Sequence, residues 1–183
     1  ADLGGKTIAA TGQGSTPEYI LRYILTKNGV NPDSDVTIEW YPDGSELATA
    51  LVAGNVNIAL LPEPNVTAAI TKSTTGNLRV ALDMTAEWDK VSSTKLIQGV
   101  MVVRSEYYET NKKALEEFMS DYSASVEWVL SSDEAPALIA SLGIVPNEGI
   151  AKNALPRCNI TYIDGDMKSA TEDFYRVLFD AKP

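Results

Sequence analysis

Lys6-Thr-Ile-Ala-Ala-Thr-Gly-Gln-Gly-Ser-Thr-Pro-Glu-Tyr19 is the stretch on which the fold of this 183-residue chain turns. Thr7 to Ala10 is an apolar run of strand length, and Thr11 to Ser15 is a glycine-bearing turn. From Pro17 to Asn28 the apolar residues Ile20, Leu21, Ile24 and Leu25 recur at helical spacing. The order is strand, loop, helix. Ser15 or Thr16 can cap the helix, Pro17 suits its first turn because a missing donor costs nothing there, and Glu18 completes a capping box with Ser15. Gly29 marks the stop. Free N–H groups at such a helix start, placed at the carboxyl end of a strand, can hold an anion or a carbonyl. Plain capping with no ligand is the competing reading, since the same junction recurs in many α/β proteins.

Two sharper readings of this turn fail on spacing. A phosphate-binding P-loop needs a lysine after its second glycine, where Ser15, Thr16 and Pro17 stand instead. A dinucleotide fingerprint needs a third small residue where Pro17 stands, and a proline ring blocks the close helix and strand packing that glycine allows.

Working outward, Val36 to Tyr41 alternates apolar and polar residues as a second strand, and Pro42-Asp43-Gly44 ends it. Ser45 and Glu46 open a helix to Ala53, with Leu47, Ala48, Leu51 and Val52 on one face. Val56 to Leu61 is a near-continuous apolar strand of the kind covered on both faces, and Pro62-Glu63-Pro64 leads into a helix to about Lys72. Leu78 to Met84 is expected as a fourth strand and Ile97 to Val103 as another, with polar residues between. Alternating strands and helices with short links imply parallel strands, right-handed crossovers and ligands at the carboxyl ends.

From there the pattern turns helical. Thr110 to Leu130 reads as one long helix with Leu115, Phe118, Met119, Tyr122, Val126 and Val129 inward. Shorter helices follow over 133–142 and 147–154, then a brief extended piece over 160–163 and a closing helix over 166–179. These helices carry apolar stripes that must be covered, and too few strands accompany them to build a second sheet. Self-association through the uncovered helical face is one way to cover it.

Composition narrows the function. A net charge of −10 makes nucleic acid an unsuitable partner, because phosphate binding needs clustered Lys and Arg. The chain has no histidine and one cysteine, Cys158, so an intrachain disulfide and the common zinc, haem and Ser-His-Asp sites cannot be assembled. No cofactor and no metal is expected, nor any catalytic residue. No apolar run is long enough to span a bilayer, and the opening residues do not read as a signal peptide.

Three runs carry a resemblance: Gly-Gln-Gly-Ser-Thr-Pro-Glu-Tyr-Ile-Leu-Arg-Tyr over 12–23, Glu-Leu-Ala-Thr-Ala-Leu-Val-Ala-Gly-Asn-Val-Asn-Ile-Ala-Leu-Leu-Pro-Glu-Pro over 46–64, and Ala-Leu-Pro-Arg-Cys-Asn-Ile over 154–160. They resemble the substrate-binding proteins of ABC importers, in the nitrate, sulfonate, taurine and thiamin-precursor branch. The resemblance implies an α/β fold of the periplasmic-binding-protein type II kind, in which two αβ lobes flank a cleft. Residues 1–95 then correspond to the complete second lobe and 96–183 to the returning, mainly helical carboxyl part of the first, whose opening sheet is not in this sequence.

It further implies a non-enzymatic solute receptor that is exported, periplasmic or lipid-anchored, and that delivers a small organic anion or related solute to a membrane permease. The fungal pyrimidine synthases resemble the chain too, but their chemistry draws on a histidine and a cysteine-rich stretch that this sequence does not have. A ligand-sensing effector domain of a transcription regulator, built on the same fold, is the alternative. Resemblance and strand-end position together single out Gln13, Gly14, Ser15 and Thr16 as the cradle for the ligand's anionic or carbonyl group. Glu63 would meet an ammonium or hydroxyl, Tyr41 would stack or hydrogen-bond, and Gln98 lies near the return crossing.

Overall fold

Strand β1 (Thr7–Thr11) pairs in parallel with β2 (Thr37–Tyr41) on one side and with β3 (Ala59–Leu60) on the other, giving a three-stranded sheet of order β2-β1-β3. The computed structural model describes residues 2–181. They divide into two compact units, one comprising residues up to Ile97 and those from Asp166 onward, the other Gln98–Gly165.

In the first unit helix α1 (Thr16–Lys27) follows β1, with Pro17 in its first turn. Its four buried apolar residues serve two clusters. Leu21 and Leu25 pack with Ile8, Val30 and Val36, while Ile20 and Ile24 pack with Trp88 and Phe174. Asn28 ends the helix and Gly29 takes φ +74°, the left-handed backbone that lets the Val30 N–H return to the Leu25 carbonyl. Helix α2 (Gly44–Val52) crosses back to β3 and packs on α3 (Asn65–Lys72). A Cβ at Gly44 would run into the Asn65 side chain, so the glycine permits that approach.

Two expected strands are not formed. Residues 78–83 are irregular, with Val80 and Leu82 43% and 54% exposed, and residues 97–103 are irregular too, with Val102 84% exposed. Strand-like composition records how a segment suits a pleated surface, but a ladder needs a neighbouring backbone, and neither segment finds one among the described residues. For the same reason the expected strand over 56–61 contracts to the two residues that meet Ala9 and Ala10 of β1. Where polar residues were expected after Met84, a helix stands instead: α4 (Met84–Val91) starts at Asp83, whose carboxylate accepts the Ala86 N–H. One residue anchors it. Trp88 is fully buried, its indole N–H donates to the Thr94 carbonyl at 2.7 Å, and its ring lies 5.0 Å from Tyr23 and 5.5 Å from Phe174.

The second unit is helical. The single helix expected over 110–130 is interrupted at Asn111, whose backbone leaves the helical region while its side chain donates to the Tyr107 carbonyl, separating α5 (Ser105–Thr110) from α6 (Lys112–Ser131). Val126 is buried on α6, but Phe118 and Tyr122, expected inward, are exposed and stack on each other at 6.1 Å. Small apolar residues of α7 (Ala135–Ser141) and α8 (Glu148–Ala154) supply the rest of the core, chiefly Ala135, Ile150, Ala151 and Ala154. A short 3₁₀ turn, Leu155–Arg157, follows. The closing helix α9 (Met167–Ala181) belongs to the first unit, where Phe174 fills the space between α1 and Trp88.

Candidate functional site

Parallel pairing places the ends of all three strands together. Thr11 lies opposite Tyr41 and Ala10 opposite Leu60, so the segments that follow, 12–16, 42–43 and 61–63, leave the same end of the sheet. Helices that return between parallel strands leave these loops as the concave end of an α/β layer.

The β1–α1 turn is tightly self-bonded. Gly12 has φ +83° and Gly14 φ +72°, and a Cβ at Gly12 would meet the Ser15 hydroxyl at 2.9 Å. Ser15 stands at the helix cap in extended backbone, yet its hydroxyl donates to the Gly12 carbonyl at 2.6 Å, and its N–H donates to the same carbonyl at 3.1 Å. The expected capping box is therefore not made. Glu18 reaches past Ser15 instead and accepts the Gly14 N–H on Oε2 at 2.7 Å. Its Oε1 accepts from Arg22 Nε at 2.7 Å, and Arg22 in turn donates to Asp33 at 2.7 Å. Burial pulls the Glu18 carboxyl upward, but the Gly14 N–H and the Arg22 guanidinium outweigh it and hold it below its ordinary value. Among the described residues, the backbone N–H groups of Gln13 and Thr16 have no protein partner.

Tyr41 is half-buried and lines an open concavity of about 580 Å³ with Asp43, Ser45, Glu46, Thr49 and Asn55. Asp43 shapes its rim by accepting the N–H groups of Ser45 and Glu46, which caps α2. Glu63 Oε2 accepts the Thr67 N–H at 3.1 Å, so this carboxylate sits on the first turn of α3; the Glu63–Pro64 peptide is cis. Gln98 is exposed and opens the second unit. Of the residues singled out from the sequence, Gln13 to Thr16, Tyr41 and Glu63 thus share one end of the sheet, and only Tyr41 lines the concavity. Glu18 and Asp43 were not among them. The four-residue step from Glu18 to Arg22 was the readable signal for the first, and the position of Asp43 ahead of Gly44-Ser45-Glu46 for the second.

A separate open concavity of about 670 Å³ in the second unit is lined by Glu116, Ser120, Ser123, Glu127, Tyr162 and Asp164. No group of His, Cys, Asp and Glu among the described residues could hold a metal, and no helix among them is long and apolar enough to cross a membrane.

A helix-rich α/β unit whose parallel sheet gathers its loops at one end has the architecture of type II periplasmic binding proteins. Residues 1–144 match the NMT1-like family, and the chain belongs to it. No curated protein matches it by sequence. Among solved structures, an ABC transporter from Parabacteroides distasonis aligns at a TM-score of 0.70 with 22% identity, over 97% of this chain and 60% of that one. The periplasmic aliphatic sulphonate binding protein SsuA from Escherichia coli aligns at 0.75 with 18% identity, over 98% of this chain and 55% of that one. A third structure, from Archaeoglobus fulgidus, aligns at 0.56 with 19% identity, over 99% of this chain and 62% of that one. The chain therefore spans less than two thirds of the length of each.

Proposed function

We propose that the chain is part of the solute-binding component of an ABC importer. It captures a small organic anion or related solute, of the sulfonate, taurine, nitrate or thiamin-precursor kind, and hands it to a membrane permease without altering it. The observation that carries this reading is the gathering of the three strand-end loops at one end of a parallel sheet in a member of the NMT1-like family. Its neighbours in fold include a periplasmic sulphonate binding protein.

In this reading Gln13 to Thr16, Tyr41 and Glu63 line the ligand cleft at the strand ends of the first unit. The protein is exported, and is periplasmic or held by a lipid anchor. Residues up to Ile97 together with α9 act as one lobe, and Gln98–Gly165 supply part of the other. The exposed apolar side chains of the second unit favour self-association of the chain when it stands alone.

The test is a thermal-shift and calorimetric panel of taurine, alkanesulfonates, nitrate and aminopyrimidines on the purified chain. One member should bind saturably and raise the melting temperature, because a ligand that binds only the folded state stabilises it by mass action. A flat response to every solute would go against the proposal.

A further inference from the structure

We propose that the Asp164–Gly165 link is a site of spontaneous isoaspartate formation, and that the fold protects the two other places where glycine follows Asp or Asn. Those places are Asn28–Gly29 and Asp43–Gly44. Glycine favours the reaction because, with no Cβ, nothing shields its N–H from the preceding side chain. The Gly165 nitrogen attacks the protonated Asp164 carboxyl at Cγ. A C–N bond closes a five-membered succinimide while a Cγ–O bond breaks, and the carboxyl hydroxyl leaves as water with the amide proton. Water then adds to the main-chain carbonyl of Asp164 and breaks its bond to the Gly165 nitrogen. The chain now runs through Cβ and Cγ, and the former main-chain carbonyl is the free carboxylate. A water leaves and a water returns, so no oxidant or cofactor takes part.

What separates the three sites is which atoms are held. Chemistry alone favours Asn28, because its amide needs no protonated carboxyl. The fold works against it. Asn28 Nδ2 donates to the Ile24 carbonyl at 2.8 Å, and the Gly29 N–H that would attack donates to the Thr26 carbonyl at 3.0 Å. Asp43 Oδ1 accepts the N–H groups of Ser45 and Glu46 at 2.7 and 2.9 Å, and the Asn65 side chain closes on Gly44. Each of these sites must open a helix end before it can react. Asp164 and Gly165 are exposed and lie outside helix and strand. Among the described residues the Gly165 N–H has no hydrogen-bond partner, and nothing lies within 4 Å of where a Cβ on Gly165 would stand. The Asp164 carboxylate neighbours the Tyr162 hydroxyl, a contact that leaves the attacking nitrogen untouched. This link carries the chain from the second unit back to α9, so the product lengthens the backbone at that crossing.

Incubation at neutral pH and physiological temperature tests it, followed by peptide mapping with fragmentation that distinguishes isoaspartyl from aspartyl links. Wild type should gain isoaspartate at Asp164 well before Asp43. Asp164→Asn allows a comparison of like with like, because positions 28 and 164 then carry the same side chain before glycine and deamidation changes the mass. Position 164 should react about tenfold or more faster than Asn28, the scale of freeing two hydrogen bonds. In strong urea the two rates should converge. Equal rates in folded Asp164→Asn, or a difference that persists undiminished in urea, would overturn the proposal. So would isoaspartate at Asp43 no later than at Asp164 in wild type, a comparison that stands even if the variant fails to fold. Neither readout uses a transported solute, so the test is independent of the importer reading.

Discussion

Glu18 ties the charge of one side chain to the stability of the helix start. Its carboxyl is pulled upward by burial but held below its ordinary value by the Gly14 N–H and Arg22. A carboxylate with a lower pKa in the folded state contributes stability that is fully present above its unfolded value and is lost as pH falls through the folded one. Urea unfolding should therefore show a fall in wild-type stability below about pH 4.5 that is shallower in Glu18→Gln; identical acid limbs would mean the contact is not made in solution. Thr67 presents the opposite case, since its hydroxyl is buried on α3 and meets no hydrogen-bond partner among the described residues. Thr67→Val keeps the shape and removes the unmet polar atom, so a gain of about 1 kcal/mol is expected in the same unfolding measurement. A loss of that size would show that the hydroxyl is bonded after all.

Helices α2 and α4 each depend on one residue. The Oδ1 of Asp43 accepts two N–H groups at the start of α2, at 2.7 and 2.9 Å. Asp43→Ala should cost about 1 kcal/mol, and Asp43→Asn much less, because an amide oxygen can still cap. The two variants give comparable stabilities only if the cap is not formed. Trp88 is the sole fully buried residue on α4, and it joins that helix to α1 and α9 through Tyr23 and Phe174. Its truncation to alanine should remove about 3 to 5 kcal/mol, a large share of a typical domain's 5 to 15, and should broaden the thermal transition of the first unit. A change below about 1 kcal/mol would mean that α9 does not pack there.

The whole molecule leaves much apolar surface uncovered. Val100, Met101, Val102 and Val103 form an exposed run, and Leu130, Leu142 and Ile144 are 55%, 66% and 64% exposed. Each Å² of apolar surface removed from water is worth about 25 cal/mol, so covering even a few hundred offsets several kcal/mol of association cost. The isolated chain is expected to self-associate in sedimentation equilibrium and to bind an apolar-surface dye. Val102→Asp should lower both responses. A strictly monomeric chain with no dye uptake would show that this run is covered within the chain in solution.

Local chemistry determined much of the first unit. Pro17, Gly29 and the apolar step at Ile20, Leu21, Ile24 and Leu25 bound α1 to within a residue or so, and the crossovers between short strands dictated parallel pairing. The common end of the strand-end loops follows from that pairing, which is why Gln13 to Thr16, Tyr41 and Glu63 could be placed together from the sequence.

Tertiary structure decided the rest. Residues 78–83 and 97–103 have strand composition but no partner backbone among the described residues, and pairing is a property of two segments rather than one. Helix α4 was hidden because its surface is polar and its burial rests on Trp88 alone, whose neighbours Tyr23 and Phe174 come from distant parts of the chain. The Glu18 contact in the β1–α1 turn was hidden for a related reason: Ser15 and Glu18 have the spacing of a capping box, and only the folded turn, with Gly12 and Gly14 in left-handed backbone, sends the carboxylate to Gly14 instead.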